Sequence, residues 1–458
     1  MIKIKRLRLI ILLAVVSLNA IASKGGWENL FNGKNLKGWE RINGSAEYEV
    51  VKGEIVGTSK LNSQNSFLAT TRTFGDFILE YEMILDEGLN SGVQIRSESK
   101  PEYENGRVYG YQVECDDSPR AWTAGIYDES RRGWLYPMEY NQPAKKSYRR
   151  GQWNMFRVEA IGNSIRTWLN GVPCANLVDG LTPGGFIALQ VHGIGKAEVN
   201  SGKTIRWRNI RILTKNLQSF RMPMDSSVAE VSYLNNTLTV NEKESGWKLL
   251  WDGKTTEGWR SAGLATFPEK GWTIEDGTLI PNKGNNKGGG DIVTLQKYKN
   301  FILEADFKIT EGANSGIKYF IRSEPGKKNT VGFEYQVLDD ERHPDAKEGI
   351  DGNRTVASLY DLIPANSKNF DPAQPVKRIN AIGQWNRARI VVNGNRVAHY
   401  LNGIKVVEIV RGSPSFKEAI AKSKFSKTPG FGDFEDGYIL LQDHGDEVAF
   451  RNIKIKEL

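Results

Sequence analysis

The sequence predicts an all-β protein made of two tandem antiparallel sandwiches of jelly-roll type, and three observations predict it. The chain repeats itself in fixed order: Trp27-Glu28-Asn29-Leu30-Phe31-Asn32-Gly33-Lys34 returns as Trp247-Lys248-Leu249-Leu250-Trp251-Asp252-Gly253-Lys254, and Asn90-Ser91-Gly92 as Asn314-Ser315-Gly316. Gly151-Gln152-Trp153-Asn154 returns as Gly383-Gln384-Trp385-Asn386, and Leu169-Asn170-Gly171 as Leu401-Asn402-Gly403, which together mark a duplicated domain. Apolar and polar residues alternate in Phe77 to Met83 and in Phe301 to Phe307, with carboxylates on one face, the period of a half-buried strand. Finally, the strands are short and end in Gly-rich turns, with Asn-Gly hairpin signals at Asn170-Gly171 and Asn402-Gly403.

Taken in order, Lys3, Lys5, Arg6 and Arg8 precede the apolar run Leu9 to Leu18 and an Ala20-Ile21-Ala22 exit. A basic head, a short apolar core and small exit residues describe a secretory signal peptide over residues 1–22, too short for a good membrane span. The expected mature protein is exported, periplasmic or secreted, with no membrane span. Residues 25–213 form the first domain and 246–458 the second. Between them, 214–245 is polar and reads as a linker with one strand-like piece, Leu238-Thr239-Val240. A helix is expected only at Ser415 to Phe425, an insertion in the second copy opening on a serine cap.

The formal net charge of +8 is spread among 62 basic and 54 acidic residues, so it predicts solubility and no nucleic-acid partner. Cys115 and Cys174 are the only cysteines. Export permits a disulfide, but two cysteines are no framework, and two buried thiols is the simpler reading. No Cys-x-x-Cys, His-Glu-x-x-His or phosphate-loop motif occurs.

Alternation sorts the polar residues. In Val93-Gln94-Ile95-Arg96, Gln94 and Arg96 lie opposite the apolar face. The second copy, read with two extra residues, places Arg322 with Lys318. Gln112 and Glu114 share a face, as do Glu334 and Gln336, so carboxylate and amide have exchanged places between the copies; Asp116 and Asp339 follow at the ends of these two strands. Leu189-Gln190-Val191-His192-Gly193 and Leu441-Gln442-Asp443-His444-Gly445 put Gln190 with His192 and Gln442 with His444, using two of only four histidines. The pairs Tyr127-Asp128 and Tyr360-Asp361 repeat as well. Each copy therefore offers Arg, Glu, Gln and His on strand faces away from the core, either solvated or forming the floor of a groove. Glu114, Asp116 and His192 are also a candidate divalent-metal set.

At Leu30-Phe31-Asn32-Gly33-Lys34-Asn35-Leu36-Lys37-Gly38-Trp39, with Asn90-Ser91-Gly92, Trp153-Asn154, Leu169-Asn170-Gly171 and Arg208-Asn209-Ile210, the chain resembles the 3-keto-disaccharide hydrolase family. The resemblance covers both copies. The second, with Arg342-His343-Pro344-Asp345-Ala346 and Leu359-Tyr360-Asp361-Leu362-Ile363-Pro364, resembles the fuller form, from which the first departs at Asp116 to Trp122 and at Ile126-Tyr127-Asp128. It implies a concanavalin A-like lectin/glucanase jelly roll acting on glycosides that a separate glycoside 3-dehydrogenase has oxidised at C3. The ketone acidifies the C2 hydrogen; a base removes it, the C1 substituent leaves, and water adds to the 2-hydroxy-3-ketoglucal.

Such chemistry needs a base near neutral pKa and a cation on the enediolate oxygen. The catalytic candidates are His192 or Glu114 with Arg96 in the first copy, and His444 or Glu334 with Arg322 and Lys318 in the second. Tyr127 and Tyr360 are candidates to donate to the leaving group. Gln94, Gln112, Asp116 and Gln190, then Gln336, Asp339, Asp361 and Gln442, are candidates to bind the sugar. The competing class is a non-catalytic carbohydrate-binding protein, since the same fold serves lectins. An ordinary glycanase would need two carboxylates facing across the groove.

Overall fold

Period-two alternation folds each copy into two sheets that close on an apolar layer. The computed structural model describes residues 26–282, 290–323, 325–326, 331–368 and 377–458, so the 1–22 segment lies outside the described residues. In the first copy the back sheet runs Val231–Ser232, Val172–Val178, Ser164–Leu169, Asn154–Ile161, Phe77–Leu85, Thr204–Leu213, Glu54–Thr58, Glu47–Val51. Its front sheet runs Gly133–Tyr136, Ile126–Glu129, Tyr109–Asp116, Asn90–Glu98, Phe186–Val191, Ser66–Thr70, Trp39–Ile42. The second copy repeats the plan, with Asn314–Ile321 between Phe333–Leu338 and Gly437–Leu441 in its front sheet. The chain is thus two tandem concanavalin A-like jelly-roll sandwiches.

Leu79, Tyr81 and Met83 of one sheet meet Val93, Ile95, Tyr111 and Val113 of the other in a single buried cluster with Trp122 and Trp207. The alternate residues of the back strand, Glu80 and Glu82, face outward and are met by arginines: Arg157 Nη1 lies 2.6 Å and Arg211 Nε 2.8 Å from Glu80. Glu304 and Asp306 take the same places in the second copy, paired with Arg389 and Arg387. Both cysteines are buried free thiols.

Residues 214–245 form a strap along these outer faces. Met222 N donates to Glu159 Oε1 at 2.8 Å, and Val231–Ser232 adds a short parallel strand to Val172–Val178. Leu238-Thr239-Val240 is the start of a helix, not a strand: Thr239 and Glu242 form a reciprocal capping box on Val240–Glu244. The insertion helix runs Pro414–Lys422, and its cap is Ser413, two residues ahead of the serine expected.

The two sandwiches are docked. Arg387 stacks on Tyr233 at 3.8 Å and donates to Ser232 O at 2.7 Å, while Asn236 and Asn452 exchange backbone-to-side-chain hydrogen bonds of 2.6 and 2.8 Å. Ile404 joins the core cluster of the first copy, and a Cβ added to Gly403 would lie 3.0 Å from Pro137 Cγ.

One irregularity recurs in both front sheets. The strand register shifts after Ile95, where Arg96 takes φ +45°; Phe320 takes φ +59° at the equivalent place after Tyr319. Opposite each bulge is a glycine whose Cβ would collide with backbone, Gly185 at 2.3 Å from Ser97 O and Gly437 at 2.2 Å from Phe320 C.

Candidate functional site

The repeated Asn-Ser-Gly motif builds the floor of a groove on each front sheet. Gly92 lies opposite Glu114, and a Cβ there would sit 2.6 Å from Gln112 Cγ, so the glycine lets Gln112 lie across its neighbour. Ser91 Oγ ties this strand to the Gln-x-His strand by donating to Gln190 O at 2.6 Å, as Ser315 Oγ does to Gln442 O at 2.8 Å. The amides then form a chain: Ser97 Oγ donates to Gln94 Oε1 at 2.8 Å, Gln94 Nε2 to Gln112 Oε1 at 2.8 Å, and Gln112 Nε2 to Glu114 Oε2 at 3.0 Å. Asn90 Nδ2 donates to the other oxygen of Glu114.

Glu114 is buried, and among the described residues no cation forms a salt bridge with it. Burial, then repulsion from Asp116, pushes its carboxyl up to about 7, against the pull of Arg120, Asn90 and Gln112. Beside it, Asn65, Arg107, Arg120, Tyr127, Glu129, Trp134, His192 and Arg378 close a cavity of about 430 Å³. This continues past His192 and Asn65 into a polar cleft of about 730 Å³. His192 Nδ1 lies 2.8 Å from Gly193 O. A carbonyl only accepts, so Nδ1 carries the proton and Nε2 keeps its lone pair. The ring is open at the mouth, yet the surrounding protein pulls its pKa below the usual histidine range.

In the second copy Lys318 replaces Gln94, and its Nζ lies 3.5 Å from Glu334 Oε2. The amide orientation of Gln336 that satisfies both its ends donates to Ser315 O at 3.0 Å and Glu334 Oε1 at 3.2 Å, so a Glu–Gln pair persists with its members exchanged. Asn314, His343, Asp345, Tyr360, Lys424, Gln442 and His444 complete a cavity of about 290 Å³. Tyr360 donates to Asp345 Oδ2 at 2.8 Å, and Lys424 Nζ sits 4.1 Å above the Tyr360 ring. Burial lowers the Lys424 ammonium, opposed by Glu334 and Asp361. His343 and His444 meet edge to face with ring centres 6.3 Å apart. The fourth histidine, His399, is in the core against Tyr319, held neutral by burial with a pKa of about 4.

The sequence candidates divide. Glu114, Gln112, Tyr127 and His192 gather in the first cavity; Lys318, Glu334, Gln336, Tyr360, Gln442 and His444 gather in the second. Gln94 and Gln190 lie fully buried in the floor, and neither end of the Gln190 amide finds a partner among the described residues. Arg96 is elsewhere. The left-handed bulge breaks strand parity, and its guanidinium reaches the sandwich edge to Gly75 O, Gly162 O and Asp76. Phe320, not Arg322, stands at that position in the second copy; no two-residue insertion exists, and Arg322 lies exposed, 5.8 Å from the Phe434 ring centre. Asp116 holds Arg120 and Ser118. Asp339 gathers the amides of Gly312, Glu341 and Arg342, which outweigh burial and lower its pKa. Asp361 fixes Lys424 through its backbone N at 2.7 Å.

With both Asp116 oxygens engaged by Ser118 and Arg120, the trio Glu114, Asp116 and His192 does not fit a metal. Among the described residues no three His, Cys, Asp or Glu side chains converge as a metal-binding group. Sequence reasoning missed Asn65, Arg107, Arg120, Glu129, Arg378 and Lys424 as site residues. Asp345 and His343 belong to the Arg342-His343-Pro344-Asp345-Ala346 motif and line the second cavity.

The family model described as 3-keto-alpha-glucoside-1,2-lyase-like domain matches residues 26–213 and 246–456. A Bacteroides thetaiotaomicron protein named 3-keto-disaccharide hydrolase is 39% identical over 249 residues, spanning 49% of this chain and 82% of its own. Among solved structures, a proposed glycosyl hydrolase from Parabacteroides distasonis is 32% identical, over 49% of this chain and 100% of that one, with a TM-score of 0.43. A second from the same organism is 27% identical over 46% and 99%, with a TM-score of 0.35.

Proposed function

The chain belongs to the 3-keto-alpha-glucoside-1,2-lyase-like domain family, and from that premise we propose that it hydrolyses 3-keto-disaccharides and related 3-keto-glycosides in two steps. A base takes the C2 proton, made acidic by the C3 ketone, as the C1–O bond breaks and the alcohol leaves. Water then adds across the resulting 2-hydroxy-3-ketoglucal, hydroxyl to C1 and proton to C2. A dehydrogenase acting earlier supplies the ketone, and the 1–22 segment directs the protein out of the cytoplasm.

The observation that carries the reading is the setting of Glu114. A carboxyl with a pKa of about 7, at the foot of a polar cavity, holds and releases a proton near neutrality as this elimination requires. His192, with Nε2 unprotonated, lines the same cavity as a second acceptor, and the Arg120 guanidinium, held by Asp116 through Nε and Nη2, lines it as the cation for an enediolate oxygen. In the second copy Lys318 and Lys424 supply the cations beside Glu334, an arrangement suited to holding an enolic product while water adds. The test is incubation with 3-keto-trehalose and a 3-keto-glucoside, with unoxidised trehalose as control, following glucal absorbance and released sugar. Cleavage of the keto-sugars alone is expected. No turnover on several keto-glycosides, with binding of unoxidised glycans, would replace the reading by a carbohydrate-binding one.

A further inference from the structure

The first cavity is not completed by its own domain. Its front sheet ends in the tight turn between Ile126–Glu129 and Gly133–Tyr136, and through the gap at Gly133 comes Arg378 of the second copy. Gly133 has φ +77°, and a Cβ there would lie 2.7 Å from Arg378 Cζ, so no side chain fits while the guanidinium passes. Arg378 Nη1 donates to Tyr127 Oη at 2.7 Å, and Cζ lies 5.2 Å from the tyrosine ring centre. Among the described residues it has no carboxylate within salt-bridge distance.

Arg378 is held for this position. Its carbonyl accepts from Asn402 Nδ2 at 3.2 Å, beside Gly403, which packs on Pro137 of the first copy. In the first copy the same asparagine contact, Asn170 Nδ2 to a carbonyl at 2.8 Å, falls on Ser147. The backbone place is therefore common to both copies, but only the second carries a side chain that reaches the other sandwich.

The consequence is on Tyr127. Arginine donates and never accepts. The phenol oxygen must accept from Arg378, which leaves the Tyr127 O–H proton directed to the cavity. Tyr360 is the reverse case, since it spends its proton on Asp345 Oδ2 at 2.8 Å. We propose that Arg378 of the second copy makes Tyr127 the acid of the first site, so that the eliminating centre is a composite of both domains. This rests on the eliminating reaction proposed above. As Glu114 takes the C2 proton and the C1–O bond breaks, Tyr127 gives its proton to the departing oxygen. The phenolate stays paired with Arg378 until the proton held by Glu114 returns to it through solvent. Arg378 acts through Tyr127 as a positioning residue; burial raises the Tyr127 pKa and Arg378 opposes that rise.

The test uses the full chain with Arg378→Met, Arg378→Lys and Tyr127→Phe, on methyl and 4-nitrophenyl 3-keto-glucosides. A methoxide needs an acid to leave and a nitrophenolate does not. Arg378→Met and Tyr127→Phe are each expected to slow the methyl substrate by about 10²-fold and the nitrophenyl substrate by less than about threefold, with Arg378→Lys recovering part of the loss. Independently of turnover, Arg378→Met should raise the titration point of Tyr127, read by NMR of ¹³C-labelled tyrosine and assigned with Tyr127→Phe. Equal losses on both substrates, or no loss, would overturn the acid role while leaving the reaction intact. A wild-type protein that cleaves neither substrate would overturn the reaction and the acid role with it.

Discussion

Glu114→Gln removes the ionisation that burial opposes while keeping the shape of the side chain. The carboxyl stands at about 7 against an ordinary 4.5. At about 1.4 kcal/mol per pH unit, ionising it in the folded protein costs about 3 kcal/mol more than in the unfolded chain. Below pH 4.5 both states hold the proton and the native state keeps its full stability. As pH rises from there through about 7, the unfolded chain releases the proton first and the native state loses that stability. The variant has no such loss. Its Oε1 still accepts from Asn90, whereas its Nε2 faces the Gln112 donor, a mismatch worth about 1 kcal/mol that does not vary with pH. Urea unfolding of both proteins at pH 4.5 and pH 8.5 should show the variant's relative stability rising by about 3 kcal/mol between the two. Elimination should fall by about 10² to 10⁴-fold. A stability difference that is flat with pH would refute the buried, near-neutral carboxyl on which the proposed base depends.

Two further changes probe the surroundings. Asp116→Asn removes a charge two residues along the strand, about 6.6 Å away; at an effective dielectric of about 20 that repulsion is about 2.5 kcal/mol, and Arg120, freed from its partner, pulls the same way. The acid limb of the rate against pH should move down by about one to two pH units, and a limb that stays in place counts against Asp116 as the charge setting Glu114. Gly437→Ala drives a Cβ to 2.2 Å from Phe320 C, a backbone contact that cannot rotate away. It should cost about 1–3 kcal/mol or more in urea unfolding, whereas a neutral effect would mean the bulge relaxes freely.

Strand faces were legible because the side-chain period is two wherever the backbone is regular. Leu79, Tyr81 and Met83 point inward, Glu80 and Glu82 outward, and Gln112 and Glu114 share the groove floor as alternation requires. Alternation breaks at Arg96 because one left-handed residue reverses parity, and nothing marks it locally: the glycine that permits the close approach, Gly185, lies on another strand. The same bulge, occupied by Phe320, underlies the apparent two-residue insertion before Arg322. Arg120 was invisible for a different reason. Its place depends on a turn folding back so that Asp116 grips it and Trp122 and Trp134 flank it at 4.6 and 4.9 Å. Arg378 and Lys424 arrive from a neighbouring domain and from an insertion, and no periodicity within the front sheet points to either.

The exchange of Glu and Gln between the copies now has a physical meaning. In the second copy the carboxylate sits one pair closer to Tyr360, opposite Lys318, which meets it as a cation. In the first, the position opposite Gln112 is Gln94, an amide, and the carboxyl stands one pair along at Glu114, where burial and Asp116 raise its pKa against the donors Asn90 and Gln112. Swapping the pair, Gln112→Glu with Glu114→Gln, preserves charge and volume in the cavity but moves the carboxylate next to Tyr127 and away from Asn90. If position and burial make the base, the double variant should lose elimination as fully as Glu114→Gln alone, about 10² to 10⁴-fold. Retained turnover of a 3-keto-glucoside would mean that any carboxylate in the cavity serves, and that the exchange between the copies carries no division of labour.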